Sequence, residues 1–200
     1  MSTVAIIDSG GANIGSVHFA LQRLGVEAQF TADPAVISAA DRVILPGVGA
    51  AAAAMAHLQK HELVGCIRAL KQPVLGICLG MQLLFDASDE GDVNCLGIIP
   101  GQLTLLPGGE HIRIPHMGWN SIRVHHDSAL LDGLGHESWF YFVHSYFAPL
   151  GEHTLAGAVH GIEFSAIVQK GNFFGVQFHP ERSAQPGARL LHNFLELPCN

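Results

Sequence analysis

The chain contains no run of lysine or arginine, no CxxC pair and no apolar stretch near the ~20 residues needed to cross a membrane. Each absence removes a class of function. Ten basic residues against 17 acidic ones give a formal charge of −7, which argues against nucleic acid as a partner. The cysteines, Cys66, Cys78, Cys95 and Cys199, show neither a disulfide framework nor zinc-type spacing with histidine, so neither a structural metal nor a cofactor is expected. Thirteen histidines invite a metal site, but they are scattered along the chain, and the adjacent pair His125 and His126 diverges in either regular structure. Most are expected at the surface. Met1 leads directly into an apolar run with no basic segment or cleavage site, the pattern of a cytoplasmic protein. GGANIG, at positions 10–15, lacks the G-x-G-x-x-G spacing of a dinucleotide loop.

With 48% hydrophobic and 14% charged residues, the 200-residue chain suits one compact α/β domain. Short β-branched runs alternate with helical stripes through the first half. Thr3 to Asp8, Val26 to Phe30, Arg42 to Leu45 and Val74 to Ile77 read as strands. Helices are expected from Ile14 to Leu24, after Asp33-Pro34, over Ala50 to Leu58 and Glu62 to Leu70, and as an amphipathic helix from Leu79 towards Phe85. This alternation implies a mostly parallel sheet with helices on both faces. Beyond Phe85 the pattern changes. Asp86 to Asn94 reads as an acidic loop, followed by short strands over Leu96 to Ile99, Leu103 to Leu106, Trp119 to Val124, Phe140 to Phe147 and Thr154 to Val159. Ser165 to Gln169 pairs with Phe173 to Phe178 across a tight turn, and a helix over Ala188 to Leu195 closes the chain.

Chemistry concentrates at Gly76-Ile77-Cys78-Leu79-Gly80. A strand running into a Gly-x-Cys-x-Gly turn and leaving as a helix is a nucleophile elbow with sulfur in place of oxygen. A helix N-terminus beneath the sulfur would favour thiolate. The competing reading is a structural cysteine, since free cysteine is commonly buried. A base tips the balance. FFGVQF ends in His179-Pro180-Glu181, an imidazole just past a strand end with a carboxylate at i+2, which in extended backbone would face the same way. Nucleophile, base and orienter would then be Cys78, His179 and Glu181. Their order along the chain differs from that of ordinary α/β-hydrolases. Pro46-Gly47-Val48-Gly49 either simply turns the chain or offers backbone N–H groups for an oxyanion.

GICLGMQLLF together with GVQFHPE resembles the class I (triad) glutamine amidotransferase family. DSGGANIGSV, LPGVG, PHMGWN, YFVHSY and GVQFHPERS are similar to its histidine-biosynthesis branch, the glutaminase subunits of imidazole glycerol phosphate synthase. The match runs from Val4 to Phe194. The resemblance implies a flavodoxin-like α/β fold, a mostly parallel sheet flanked by helices with additional short antiparallel strands, and hydrolysis of glutamine to glutamate and ammonia. Cys78 would attack the amide carbon, and His179 would protonate the departing ammonia and then activate water. Gly47, Val48 and Gly49, with the N–H of Leu79, correspond to the oxyanion loop and substrate cradle. Gln82, otherwise a solvent-facing helix residue, corresponds to one that holds the substrate. Ser145 and Tyr146 would contact its amino-acid end, and Glu90 would accept from its ammonium.

The implied partner is a (βα)₈-barrel cyclase, in a heterodimer that passes ammonia to a phosphoribulosyl nucleotide intermediate. Asn13, otherwise a helix cap, Trp119, otherwise a core or hairpin aromatic, and Arg182, where many relatives carry lysine, match partner-facing positions. A glutaminase serving another acceptor, such as that of pyridoxal phosphate synthase, would share the triad but not PHMGWN. A stand-alone cysteine hydrolase would need neither Gln82 nor the paired glycines, and a catalytically silent subunit would not need the complete triad.

Overall fold

Apolar runs of four to six residues, each followed by a turn and a helical stripe, build the first half of the computed structural model, which describes residues 3–11, 14–110, 112–135 and 138–199. In chain order these are β1 (Val4–Ile7), α1 (Ile14–Arg23), β2 (Ala28–Thr31), α2 (Pro34–Ala39), β3 (Arg42–Gly47), α3 (Ala51–Lys60), α4 (Leu63–Ala69) and β4 (Val74–Cys78). The second half contains α5 (Leu79–Gln82), β5 (Phe85–Ser88), β6 (Val93–Asn94), β7 (Ile99–Leu105), β8 (His116–Ser121), β9 (Arg123–Val124), β10 (Trp139–His144) and β11 (Tyr146–Phe147). It ends with β12 (Thr154–His160), β13 (Ile162–Lys170), β14 (Phe173–Val176) and α6 (Ala184–Glu196). Among the described residues, no helix is long and apolar enough to cross a membrane.

The main sheet has the order β2-β1-β3-β4-β14-β13-β12-β9. Its first five strands run parallel, and β13, β12 and β9 continue it antiparallel. Alternate side chains feed two cores. Ile6, Ile44, Leu75, Ile77 and Val176 face α1 and α6, and Ile7, Val43, Leu45 and Val74 face α3 and α4. Strand order reverses at β1, which lies between β2 and β3. Open α/β sheets bind ligands at such a switch point, beyond the strands' carboxyl ends. A four-stranded sheet (β11-β7-β5-β6) and a two-stranded ribbon (β10-β8) complete the architecture.

Four local expectations are corrected. The helix after Cys78 is a single turn, Leu79–Gln82, with all four residues buried. Met81, Leu83, Leu84 and Phe85 leave the segment no polar face, and Phe85 instead enters β5 to pair with Ile99. Asp86 to Asn94 is a hairpin rather than a loop: β5 pairs with β6, and the acidic residues occupy its tip. The segment after His179 is not extended, because Pro180–Arg182 forms a 3₁₀ turn. Strand β7 runs unbroken from Ile99 to Leu105, so it takes only Ile99 from the run read at Leu96 to Ile99 and joins it to most of the run read at Leu103 to Leu106.

Candidate active site

The elbow is built by close approach. A Cβ on Gly80 would overlap the Leu45 carbonyl oxygen, and one on Gly76 would lie 2.6 Å from the Gly80 oxygen, so the turn can cross β3 and β4 only with glycine at both positions. Cys78 then adopts φ 54° and ψ −110°, a conformation that side chains other than glycine rarely adopt. Strain at the nucleophile is characteristic of such elbows. Cys78 is 7% exposed, and its Sγ lies 3.7 Å from the Val143 carbonyl oxygen.

His179 hydrogen-bonds Cys78 through its side chain, and its Nδ1 lies 2.9 Å from Glu181 Oε1. The expected pairing of histidine and carboxylate forms, but through the 3₁₀ turn rather than through extended backbone. The Glu181 side chain is only 1% exposed. Burial pulls the His179 pKa down, yet the hydrogen bonds it donates to Cys78 and Glu181, and the charges of both, outweigh it and raise the imidazole to about 10. At neutral pH the ring is therefore a cation beside a sulfur, the pairing that cysteine nucleophiles use.

The Pro46–Gly49 turn lies directly beside the elbow. Gly47 is the parallel-sheet partner of Cys78, and a Cβ there would meet Leu79 Cβ at 2.8 Å. Gly49 has φ 98°, a backbone region suited to glycine. The loop is held from two sides. Ser9 Oγ donates to the Pro46 carbonyl at 2.6 Å, and Gly11 packs against Val48. On the far side Glu90 Oε2 accepts from Ala51 N at 2.8 Å, capping α3, whose own N-cap, Ala50, has no side chain able to do so. Glu90 is thus engaged with the start of α3. A small cavity lined by Ser9, Gly11, Val48, Ile77, His179 and Glu181 sits beneath this junction.

Gln82 is buried, not solvent-facing. Its Nε2 donates to the Tyr146 carbonyl and to Gln177 Oε1, each at 3.0 Å. Ser145, which joins β10 to β11, and Tyr146, which opens β11, are half-buried, and the Ser145 carbonyl accepts from Leu106 N at 2.8 Å. Sequence reasoning missed several participants. Gln177, fully buried, points Nε2 at Cys78 Sγ from 3.9 Å, and its place in the FFGVQF strand beside His179 was the available signal. Ser183 accepts from Tyr141 N and donates to the His179 carbonyl, fixing the histidine's backbone to β10. His116 and His144 are also buried, against the expectation for most histidines.

Trp119 lies half-exposed on β8, edge-on to Tyr141, over whose ring Arg182 places its guanidinium 5.7 Å from the centroid. Met117 and Trp139 widen this exposed face. Asn13 lies outside the described residues.

The family model for class I glutamine amidotransferases matches residues 5–197, and the chain belongs to that family. Its curated relatives narrow the class further. It is 55% identical over 197 residues to "Imidazole glycerol phosphate synthase subunit HisH" of Xanthomonas oryzae pv. oryzae (strain MAFF 311018), covering 98% of each chain. It is 48% identical to the protein of the same name from Vibrio cholerae serotype O1 (strain ATCC 39315 / El Tor Inaba N16961), covering 97% of this chain and 98% of the other. A solved crystal structure of a glutamine amidotransferase matches the fold with TM-score 0.75 at 20% identity, covering 96% of this chain and 97% of that one.

Proposed function

We propose that the chain is the glutaminase subunit of imidazole glycerol phosphate synthase in histidine biosynthesis, hydrolysing glutamine and delivering ammonia to a (βα)₈-barrel cyclase. The observation that carries this reading is Cys78 at a strained elbow with a cationic, carboxylate-bound His179 against it. The high identity to HisH chains over nearly their full length supports the branch.

In this mechanism the sulfur attacks the side-chain amide carbon of glutamine. The oxyanion that forms is met by backbone N–H groups of Leu79 and the Gly47–Gly49 turn, which is worth ~3 kcal/mol per well-aimed donor. His179 already carries the proton the leaving nitrogen needs, so ammonia departs and a glutamyl thioester remains on Cys78. The now neutral imidazole takes a proton from water, hydroxide attacks the thioester carbon, glutamate leaves, and the proton left on His179 restores the starting state. Glu181 keeps Nδ1 protonated, so Nε2 faces the reaction. Ser145, Tyr146 and Gln82 line the substrate's approach, and Glu90 stands beside the oxyanion-loop helix. The face of Met117, Trp119, Tyr141 and Arg182 suits a partner, since exposed aromatics with an arginine are the residues that dominate interfaces. The cyclase would consume the ammonia and release imidazole glycerol phosphate and an aminoimidazole carboxamide ribonucleotide.

The test is turnover of the complex with a barrel cyclase and its nucleotide. Cys78→Ala should lower glutamine-dependent turnover by ~10⁴-fold or more while ammonia-dependent turnover continues. Loss of both, or survival of glutamine-dependent turnover, contradicts the assignment.

A further inference from the structure

Two buried histidines outside the triad form a chain of hydrogen bonds whose direction is fully determined. His144 Nδ1 lies 2.9 Å from the Tyr146 carbonyl oxygen, His144 Nε2 lies 3.0 Å from His116 Nδ1, and His116 Nε2 lies 3.3 Å from Asn120 Nδ2. A carbonyl can only accept, so His144 carries its proton on Nδ1. Burial lowers both imidazoles, His144 to about 3 and His116 to about 4, so each is neutral and has one bare nitrogen. The bare Nε2 of His144 therefore accepts from His116 Nδ1, and the bare Nε2 of His116 accepts from Asn120. The second amide hydrogen of Asn120 goes to the Val159 carbonyl at 2.9 Å. His116 is further held by stacking on Phe142 and His160, with ring centroids 4.9 and 4.2 Å away.

The two ends of this chain lie at the places that matter most. At one end, the Tyr146 carbonyl also accepts from Gln82, which reaches Gln177 and, through it, the neighbourhood of Cys78 Sγ. At the other, His116 and Asn120 belong to β8, which pairs with β10 in the register His116↔His144, Trp119↔Tyr141. Successive strand residues face opposite sides. The ribbon therefore carries Met117 and Trp119 outward and the histidine chain inward.

We propose that His116 and His144 are positioning residues of the glutaminase site: a one-way relay, Asn120 to His116 to His144 to the Tyr146 carbonyl, that holds the Ser145–Tyr146 segment in its glutamine-binding position and ties it to the ribbon bearing Trp119. The relay touches neither sulfur nor substrate amide. Its effect should fall on glutamine affinity rather than on the chemical step, and the inference rests on the glutaminase reading above.

Steady-state kinetics of the complex with the barrel cyclase test it. His144→Leu, which fills the space but donates nothing, should raise the KM for glutamine about tenfold, the equivalent of one lost hydrogen bond, with kcat within about threefold of wild type. His144→Asn, which keeps an N–H near the place of Nδ1, should restore KM to within about threefold. If His144→Leu does not fold, His116→Leu supplies the reading: KM rises about threefold and the ¹⁵N spectrum of His144 loses its fixed Nδ1–H tautomer. An unchanged KM in folded His144→Leu or His116→Leu, or no rescue by asparagine, overturns the relay alone. Absence of glutamate production by the wild-type complex would instead overturn the functional reading beneath it.

Discussion

His179 and His144 are both buried in one protein, yet one is a cation and the other neutral. His179 is raised to about 10 and His144 lowered to about 3, although burial acts downward on both. The difference lies in their neighbours. His179 faces a carboxylate and a thiol, whereas His144 faces a carbonyl and a second neutral ring, His116. Burial alone makes a histidine a neutral structural connector. Partners able to hold negative charge make it an acid.

The comparison breaks most readily at Glu181. Glu181→Gln removes the buried carboxylate, and glutamine-dependent turnover should fall by ~10²-fold or more. The alkaline limb of the pH profile should also move towards neutrality, because the imidazolium keeps Cys78 but loses Glu181, the second of its two partners. A limb that does not move would mean that Glu181 does not hold the charge.

A smaller effect follows from linkage. In the unfolded chain each histidine titrates near 6.5. His116 and His144 stay neutral when folded down to about 4 and 3, so between pH 6.5 and those values the unfolded state binds more protons and stability falls as pH falls. His179 acts with the opposite sign. Its contribution is fully present below pH 6.5 and is lost as pH rises towards 10. Urea denaturation of the wild type and of His116→Leu at pH 7 and pH 5 reads the acid side. The wild type should lose up to about 2 kcal/mol more than the variant over that interval, and equal slopes would remove His116 from the account.

The smallest expected effect is at the surface. Trp119→Ala should weaken binding of the barrel cyclase by about tenfold without lowering the urea midpoint, which titration calorimetry and denaturation check together. A drop in stability with unchanged affinity would make Trp119 a packing residue.

The parallel half of the fold was legible in the sequence because period, turns and helix stops agree there, and the elbow announced itself through two glycines placed around a cysteine. His179 and Glu181 were found for the right pairing but by the wrong geometry, since a proline shortly after a strand can continue it or turn it, and here Pro180 turns it. The one-turn α5 was misread because an unbroken apolar run carries no period to separate helix from strand. Gln177 and the His116–His144 pair escaped notice for a different reason. Their roles exist only across strands, at separations of 99 and 28 residues; for Gln177 the one local signal was its place beside His179, and for the histidine pair no local pattern reports it. Cys95 shows the converse: burial and the charge of Glu90 push its thiol up to about 11, and nothing in the spacing of the four cysteines distinguished it from Cys78.

The most direct test of the contrast is the ring ¹⁵N spectrum of the folded protein across pH 6 to 8. The account predicts both nitrogens of His179 protonated throughout, and His116 and His144 each protonated on Nδ1 alone with no titration in that range. A neutral His179 at pH 7, or a charged His116 or His144, would contradict it.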